Sequence, residues 1–239
     1  MRFWLLLLAL PMAAAAQDLQ VLSGGAAKSL VEPLAASFPG GKVQVQYQPM
    51  GKLTESLAQG AKVDLVIVTQ EVLPRLEKEG RVKRGAKPIA RVGIGVAVNE
   101  RAPAPDISTP EKFKQALLAA KSVVYIDPKV GTSGKHVAEV LNRLGISQEI
   151  EKKARLGQGG YIVEPVGRGE IELGIHQISE ILPVKGVKLA GELPRELQKY
   201  TVYVAAPVSE SRLVPDFVDH LTGAEARKRL AQAGYTAPE

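Results

Sequence analysis

The chain has 239 residues, 31 Lys and Arg against 25 Asp and Glu, a formal net charge of +6 and no cysteine. Without cysteine it can form no disulfide, thiolate metal site or lipidated amino-terminal cysteine. Its basic residues are dispersed and aromatics make up only 5% of the chain, which argues against a nucleic-acid surface and leaves a modest positive excess suited to a small anionic ligand or to solubility.

In chain order, the opening MRFWLLLLALPMAAAAQD sets Arg2 before an apolar stretch over residues 3–10 and small residues at Ala14 and Ala16. That is the pattern of a secretory signal, residues 1–16, cleaved before Gln17. The apolar stretch is shorter than the roughly 20 residues that span a bilayer. The expected mature protein is soluble and periplasmic, and loss of Arg2 leaves 30 basic against 25 acidic residues.

Beyond the signal, apolar or β-branched runs alternate with helical patterns. LQVL precedes SGGAAKSLVEPLAASF, KVQVQY precedes QPMGKLTESLAQG, VDLVIV precedes TQEVLPRLEKEG, and SVVYI precedes DPKVGTSGKHVAEVLNRLG. This alternation predicts an α/β protein with largely parallel sheets. The unbroken apolar character of VDLVIV and SVVYI suits strands covered on both faces, and Gly60, Gly80 and Gly145 stand where helix stops need a left-handed residue. RVGIGVAVN (residues 91–99) and KYTVYVAAP (residues 199–207) break the rhythm, since neither leads directly into a helix. If they cross between two lobes, residues 17–94 with 201–239 form one lobe and 95–200 the other. Two ordinary strands of one sheet remain the alternative.

Four glycine-rich loops open onto helical patterns: SGGAAKS (residues 23–29), PMGK (49–52), VGTSG (130–134) and GQGGY (157–161). A helix amino terminus presents unpaired N–H groups and about half a positive charge, so it can hold an anion where small residues allow approach. Gly25, Ala26, Gly51, Thr132, Ser133, Gly134 and Gly160 are the candidates on these loops. Lys52, with Lys135 or His136, could meet a carboxylate or phosphate, while Met50 and Tyr161 could contact a carbon skeleton. DPKVGTSGKH is not a nucleotide-binding P-loop: Lys129 stands where that motif needs its first glycine, and His136 where it needs a hydroxyl. The three histidines, at 136, 176 and 220, lack metal-ligand spacing. His176 closes the apolar run ELGI, followed by Gln177, at a strand's carboxyl end where open α/β sheets bind ligands.

VLSGGAAKSLVEPLAASF, GKLTESLAQGAKVDLVIVT, YIDPKVGTSGKHVAEVLNRLGI and VGRGEIELGIHQISEI, in that order, resemble the molybdate-binding type of periplasmic solute-binding protein. The resemblance implies a type II fold of two α/β lobes, each a mostly parallel sheet flanked by helices, joined by a two-segment hinge that closes on a ligand. It also implies an ABC-type permease as partner. Ligand-contact positions of that family fall on Ala26, on residues 49–51, on Ser133, Gly160 and Gln177. Ala26, Met50 and Gly51 replace side-chain hydroxyl donors, so the resemblance implies a small anion, oxyanion or organic acid, without carrying molybdate itself over. The expectation is a monomeric binding protein with no catalytic residue, metal or cofactor. Two alternatives stay open: a secreted hydrolase using Ser133 with His136 or His176, and a sensor or adhesion protein of the same fold.

Overall fold

The computed structural model describes residues 18–238; the expected signal segment lies outside the described residues. Ten strands are present among them: β1 Leu19–Gly24, β2 Val43–Gln48, β3 Leu65–Thr69, β4 Lys87–Val92, β5 Ile94–Asn99, β6 Val123–Ile126, β7 Ala154–Gly157, β8 Leu173–Gln177, β9 Val187–Glu192 and β10 Thr201–Pro207. They form two five-stranded sheets, in the orders β2-β1-β3-β10-β4 and β7-β6-β8-β5-β9. The first lobe carries helices α1 (Lys28–Ala36, entered by a short 3-10 turn Gly25–Ala27), α2 (Met50–Ala58) and α3 (Leu73–Lys78). The second carries α4 (Pro110–Ala119), α5 (Thr132–Arg143), α6 (Ser147–Glu151), α7 (Glu164–Gly167) and α8 (Ile178–Ile181), and the chain ends in α9 (Leu213–Thr222) and α10 (Ala224–Leu230).

Both sheets are mixed. The strands of the strand–helix units, β1, β2 and β3 in one sheet and β6, β7 and β8 in the other, pair in parallel. The antiparallel pairings come from the segments that break the rhythm: β10 runs against β3 and β4, and β5 against β8 and β9. LVIVT of β3 and VVYI of β6 are buried throughout, because each lies inside its sheet with helices packed over it. Edge strand β2, VQVQYQ, alternates instead between half-buried and exposed.

RVGIGVAVN is not one strand. It breaks at Gly93, so that β4 ends in the first sheet and β5 begins in the second. The returning segment grips this break. Gln198 Oε1 accepts the Ile94 N–H at 2.9 Å and its Nε2 donates to the Ile94 carbonyl at 2.9 Å, while the Ile178 N–H donates to the Gly93 carbonyl at 3.0 Å. One amide side chain thus pairs with both backbone groups of Ile94 at the start of β5, the carbonyl being shared with the Leu193 N–H at 3.0 Å. The lobes also touch elsewhere. The Gly51 N–H donates to the Val130 carbonyl at 3.1 Å, Ser179 Oγ donates to the Ala26 carbonyl at 2.8 Å, and Ile178 packs into the core of the first lobe with residues such as Leu30, Leu53 and Phe217.

Gly60, Gly80 and Gly145 have φ of +84°, +64° and +67°, the left-handed stops expected at these helix ends. Gly134 serves close approach: a Cβ there would lie 2.2 Å from the Ile126 carbonyl oxygen, so α5 can start flush against the end of β6 only with a glycine. Replacing Gly134 with Ala should cost about 1–3 kcal/mol through overpacking, read as a lower urea midpoint with unchanged slope; a midpoint equal to wild type would contradict this packing.

Candidate functional site

The parallel strands β1, β2, β6 and β8 all end at one cleft between the sheets, which encloses a cavity of about 170 Å³. The sequence places it there, since β1, β2 and β6 each turn into a glycine-containing loop at the carboxyl end, as does β7 at residues 157–161, while β8 runs directly into α8. On the first-lobe side Gly25 and Ala26 follow β1, and Met50 opens α2; Thr132 and Ser133 open α5 on the opposite side. Gly160, Tyr161, His176 and Gln177 complete the second-lobe wall.

Three expected site residues fall elsewhere. Lys52 is exposed and lines no part of the cavity, because Met50, Leu53 and Leu57 form the buried stripe of α2 and a residue two positions from Met50 points to solvent. Gly51 is engaged through its N–H in the contact with Val130 and borders a neighbouring polar groove. Gly134 is held against β6 rather than open to the cavity. His136 and Lys135 are also removed from it. His136 Nε2 donates to the Leu197 carbonyl at 2.6 Å, which takes this ring out of any pairing with Ser133, and Lys135 faces the groove beside Gly51.

The cavity's cation is Lys28 instead. It stands at the first position of α1, with Nζ 5.5 Å from the Tyr47 ring centroid and 5.6 Å from that of Tyr161, so aromatic faces from both lobes hold it at the cleft. Lys28 lies within SGGAAKS, and helical phase could have chosen it over Lys52. Tyr47, Gln48, Tyr203 and Glu180 also line the cavity without having been singled out. Glu180 was reachable, for it stands four residues after His176, but the strand-to-helix turn that brings the two together is not visible in periodicity.

Helices α2 and α5 enter the cleft without side-chain caps: neither Pro49 nor Gly131 makes a capping hydrogen bond from its side chain. Proline and glycine have no such group to offer, and the first-turn N–H groups of a helix have no intrahelical partner, although in α2 that of Gly51 is taken by the Val130 carbonyl. Both helix ends are therefore electropositive at the cleft. Deeper in, His176 is fully buried and Glu180 is 6% exposed. His176 Nε2 stands 3.1 Å from Glu180 Oε2 and 3.2 Å from the Gly160 carbonyl, while Nδ1 is 3.5 Å from Ser133 Oγ. Burial pushes the His176 imidazolium toward losing its proton, but the charge and hydrogen bond of Glu180, aided by the Gly160 carbonyl, outweigh it and raise the ring above its ordinary value. Two acceptors, Glu180 Oε2 and the Gly160 carbonyl, face Nε2 and require a proton there, while Ser133 Oγ lies at the outer limit of hydrogen-bond distance from Nδ1. Among the described residues, no group of three or more His, Cys, Asp or Glu could hold a metal ion, and no helix is long and apolar enough to cross a membrane.

A family model described as bacterial extracellular solute-binding protein matches residues 19–236. A protein named aconitate isomerase, from Pseudomonas sp., is 31% identical over 245 aligned positions, covering 96% of this chain and 92% of that protein. Among solved structures, the periplasmic molybdate-binding protein of Azotobacter vinelandii superposes with a TM-score of 0.77 at 17% identity, covering 92% of this chain and 100% of that one. PEB3 of Campylobacter jejuni with L-phospholactate bound gives 0.68 at 14% identity, again covering 92% and 100%. At those identities the structural likeness is one of fold.

His176 is raised above its unfolded value of about 6.5, so its pairing with Glu180 adds stability that is full below about pH 6.5 and is lost as pH rises through the folded-state value. The stability difference between wild type and His176→Gln, from urea melts between about pH 6 and 9, should therefore shrink as pH rises. A constant or growing difference would contradict the pairing.

Proposed function

The chain belongs to the bacterial extracellular solute-binding proteins, and on that premise we propose that it captures a small organic polycarboxylate between its lobes in the periplasm and presents it to an ABC-type permease. The lobes are residues 17–94 with 201–239, and 95–200. The observation that carries this reading is the convergence of two uncapped helix amino termini, α2 from one lobe and α5 from the other, with Lys28 on a single cavity. A polycarboxylate offers separate negative groups to donors on opposite walls, and Met50, Ile126 and the Tyr161 ring supply apolar surface for its carbon skeleton. Gly25, Ala26, Thr132, Ser133 and Gly160 would supply close backbone or hydroxyl donors. The relative named for aconitate, an unsaturated tricarboxylate, supports an organic acid over a metal oxyanion.

That relative and the His176–Glu180 pair favour a second reading, in which the cleft also isomerises such an acid. Moving an allylic proton between two carbons requires a base to take it from one and an acid to return a proton to the other. The carboxyl group of Glu180 and the imidazole of His176 are of those types, and the exchange consumes no other reagent.

Calorimetric titration of purified mature protein should show heat with di- or tricarboxylates and none with molybdate at equal concentration. Lys28→Gln should weaken binding about tenfold or more, the loss of a charged contact. No binding of any carboxylate at saturating concentration would end the capture reading. Proton NMR of trans-aconitate with the protein tests the second reading: growth of the cis vinyl resonance supports it, and unchanged spectra remove it.

A further inference from the structure

Within the cleft, Glu180 is out of character for an anion site. It is a carboxylate, 6% exposed, on the wall of the cavity that Lys28 and two helix amino termini make electropositive. His176 occupies only one of its oxygens, Oε2, at 3.1 Å. The other, Oε1, receives no hydrogen bond among the described residues and is turned across the cleft toward Gly25, where an added Cβ would lie 3.2 Å from it. Glycine at 25 therefore keeps the space in front of this oxygen open. Gln177, three residues earlier and 2% exposed, also lines the cavity and offers a second acceptor. Its Nε2 donates to Thr201 Oγ1 at 3.2 Å, and its Oε1 is buried with no partner.

Two acceptors with unused lone pairs on one cavity wall cost binding energy unless the ligand brings a proton to them. A buried acceptor left unmatched costs about 1–3 kcal/mol, and more when charged. A bare carboxylate or oxyanion pressed against Glu180 adds repulsion between like charges. A hydroxyl group on the ligand removes both penalties, because it donates to Oε1 and separates the charges.

Building on the polycarboxylate reading, we propose that Glu180 is the specificity-determining residue of the cleft: with Gln177 it selects polycarboxylates that carry a hydroxyl over those that lack one and over unprotonated oxyanions. Lys28 and the helix ends hold the carboxylates, and Glu180 reads the hydroxyl. Division of the site in this way explains how an electropositive cleft accommodates an acidic residue, and why tetrahedral oxyanions are poor matches for it despite the shared fold. A site built to bond a hydroxyl rejects the analogue without it by far more than a hydrophobic pocket rejects a missing methylene.

The test is calorimetry on the full mature chain with matched pairs differing by one hydroxyl, malate against succinate and citrate against tricarballylate. Wild type should bind the hydroxylated member of at least one pair about tenfold or more tighter. Glu180→Gln, whose amide can donate, should bring that ratio near one by improving the deoxy ligand; Gln177→Leu should narrow it independently. A wild-type ratio within about twofold for both pairs overturns the proposal even if a variant fails to fold, and so does a ratio that Glu180→Gln leaves intact. Absence of heat with every carboxylate sinks the capture reading and this proposal together, whereas binding without discrimination sinks this proposal alone.

Discussion

Everything at the cleft depends on the chain crossing between sheets at a single residue. Because β4 ends at Val92 and β5 begins at Ile94, the sheets are joined with almost no slack, and the return through Gln198 to β10 fixes the same point from the other side. Gln198 accepts the Ile94 N–H and shares the Ile94 carbonyl with the Leu193 N–H. That keeps the crossing from carrying unpaired backbone groups, which would otherwise favour local opening. Carboxyl ends of parallel strands from both lobes then have to face one another, and the loops that follow them form the walls.

The contacts between those walls are few and mostly through backbone. Gly51 to Val130 and Ser179 to Ala26 are single hydrogen bonds, each worth only about 0.5–1.5 kcal/mol net. Ile178 is different: it is carried by the second lobe but buried in the core of the first. The α8 side of the cleft is thus anchored by packing, while the side facing α2 and α5 is held by polar contacts that a ligand can replace or reinforce.

Much of the fold was legible in sequence because it rests on local signals. Apolar runs such as VDLVIV, left-handed glycines at helix ends and glycine-rich turns after strands read out directly as elements. The antiparallel half of each sheet was not, since pairing β5 with β8 or β10 with β3 joins segments far apart in the chain. RVGIGVAVN was read as a strand that could cross between lobes, but its uniform strand character does not mark Gly93, where β4 gives way to β5 and only the two different partners divide it. At the site, the loops were readable but the choice among their side chains was partly lost. Lys28 and Lys52 occupy similar loops, and the buried stripe of α2 separates them only once helical phase is applied. Glu180 required the turn from β8 into α8, a one-turn helix too short to leave a periodic trace.

On the proposed reading, the site combines charge to attract an anion, apolar surface to hold a carbon skeleton, and acceptors that read what else the ligand carries. Its central claim is that one ligand is held from both lobes at once. A crystal structure of the mature protein grown with a bound polycarboxylate tests that claim most directly. The account predicts carboxylate oxygens within hydrogen-bonding distance of first-turn N–H groups of both α2 and α5, with Lys28 closing the cleft. A ligand held by one lobe alone, or outside the cavity bounded by Tyr47, Ser133 and Glu180, would contradict it.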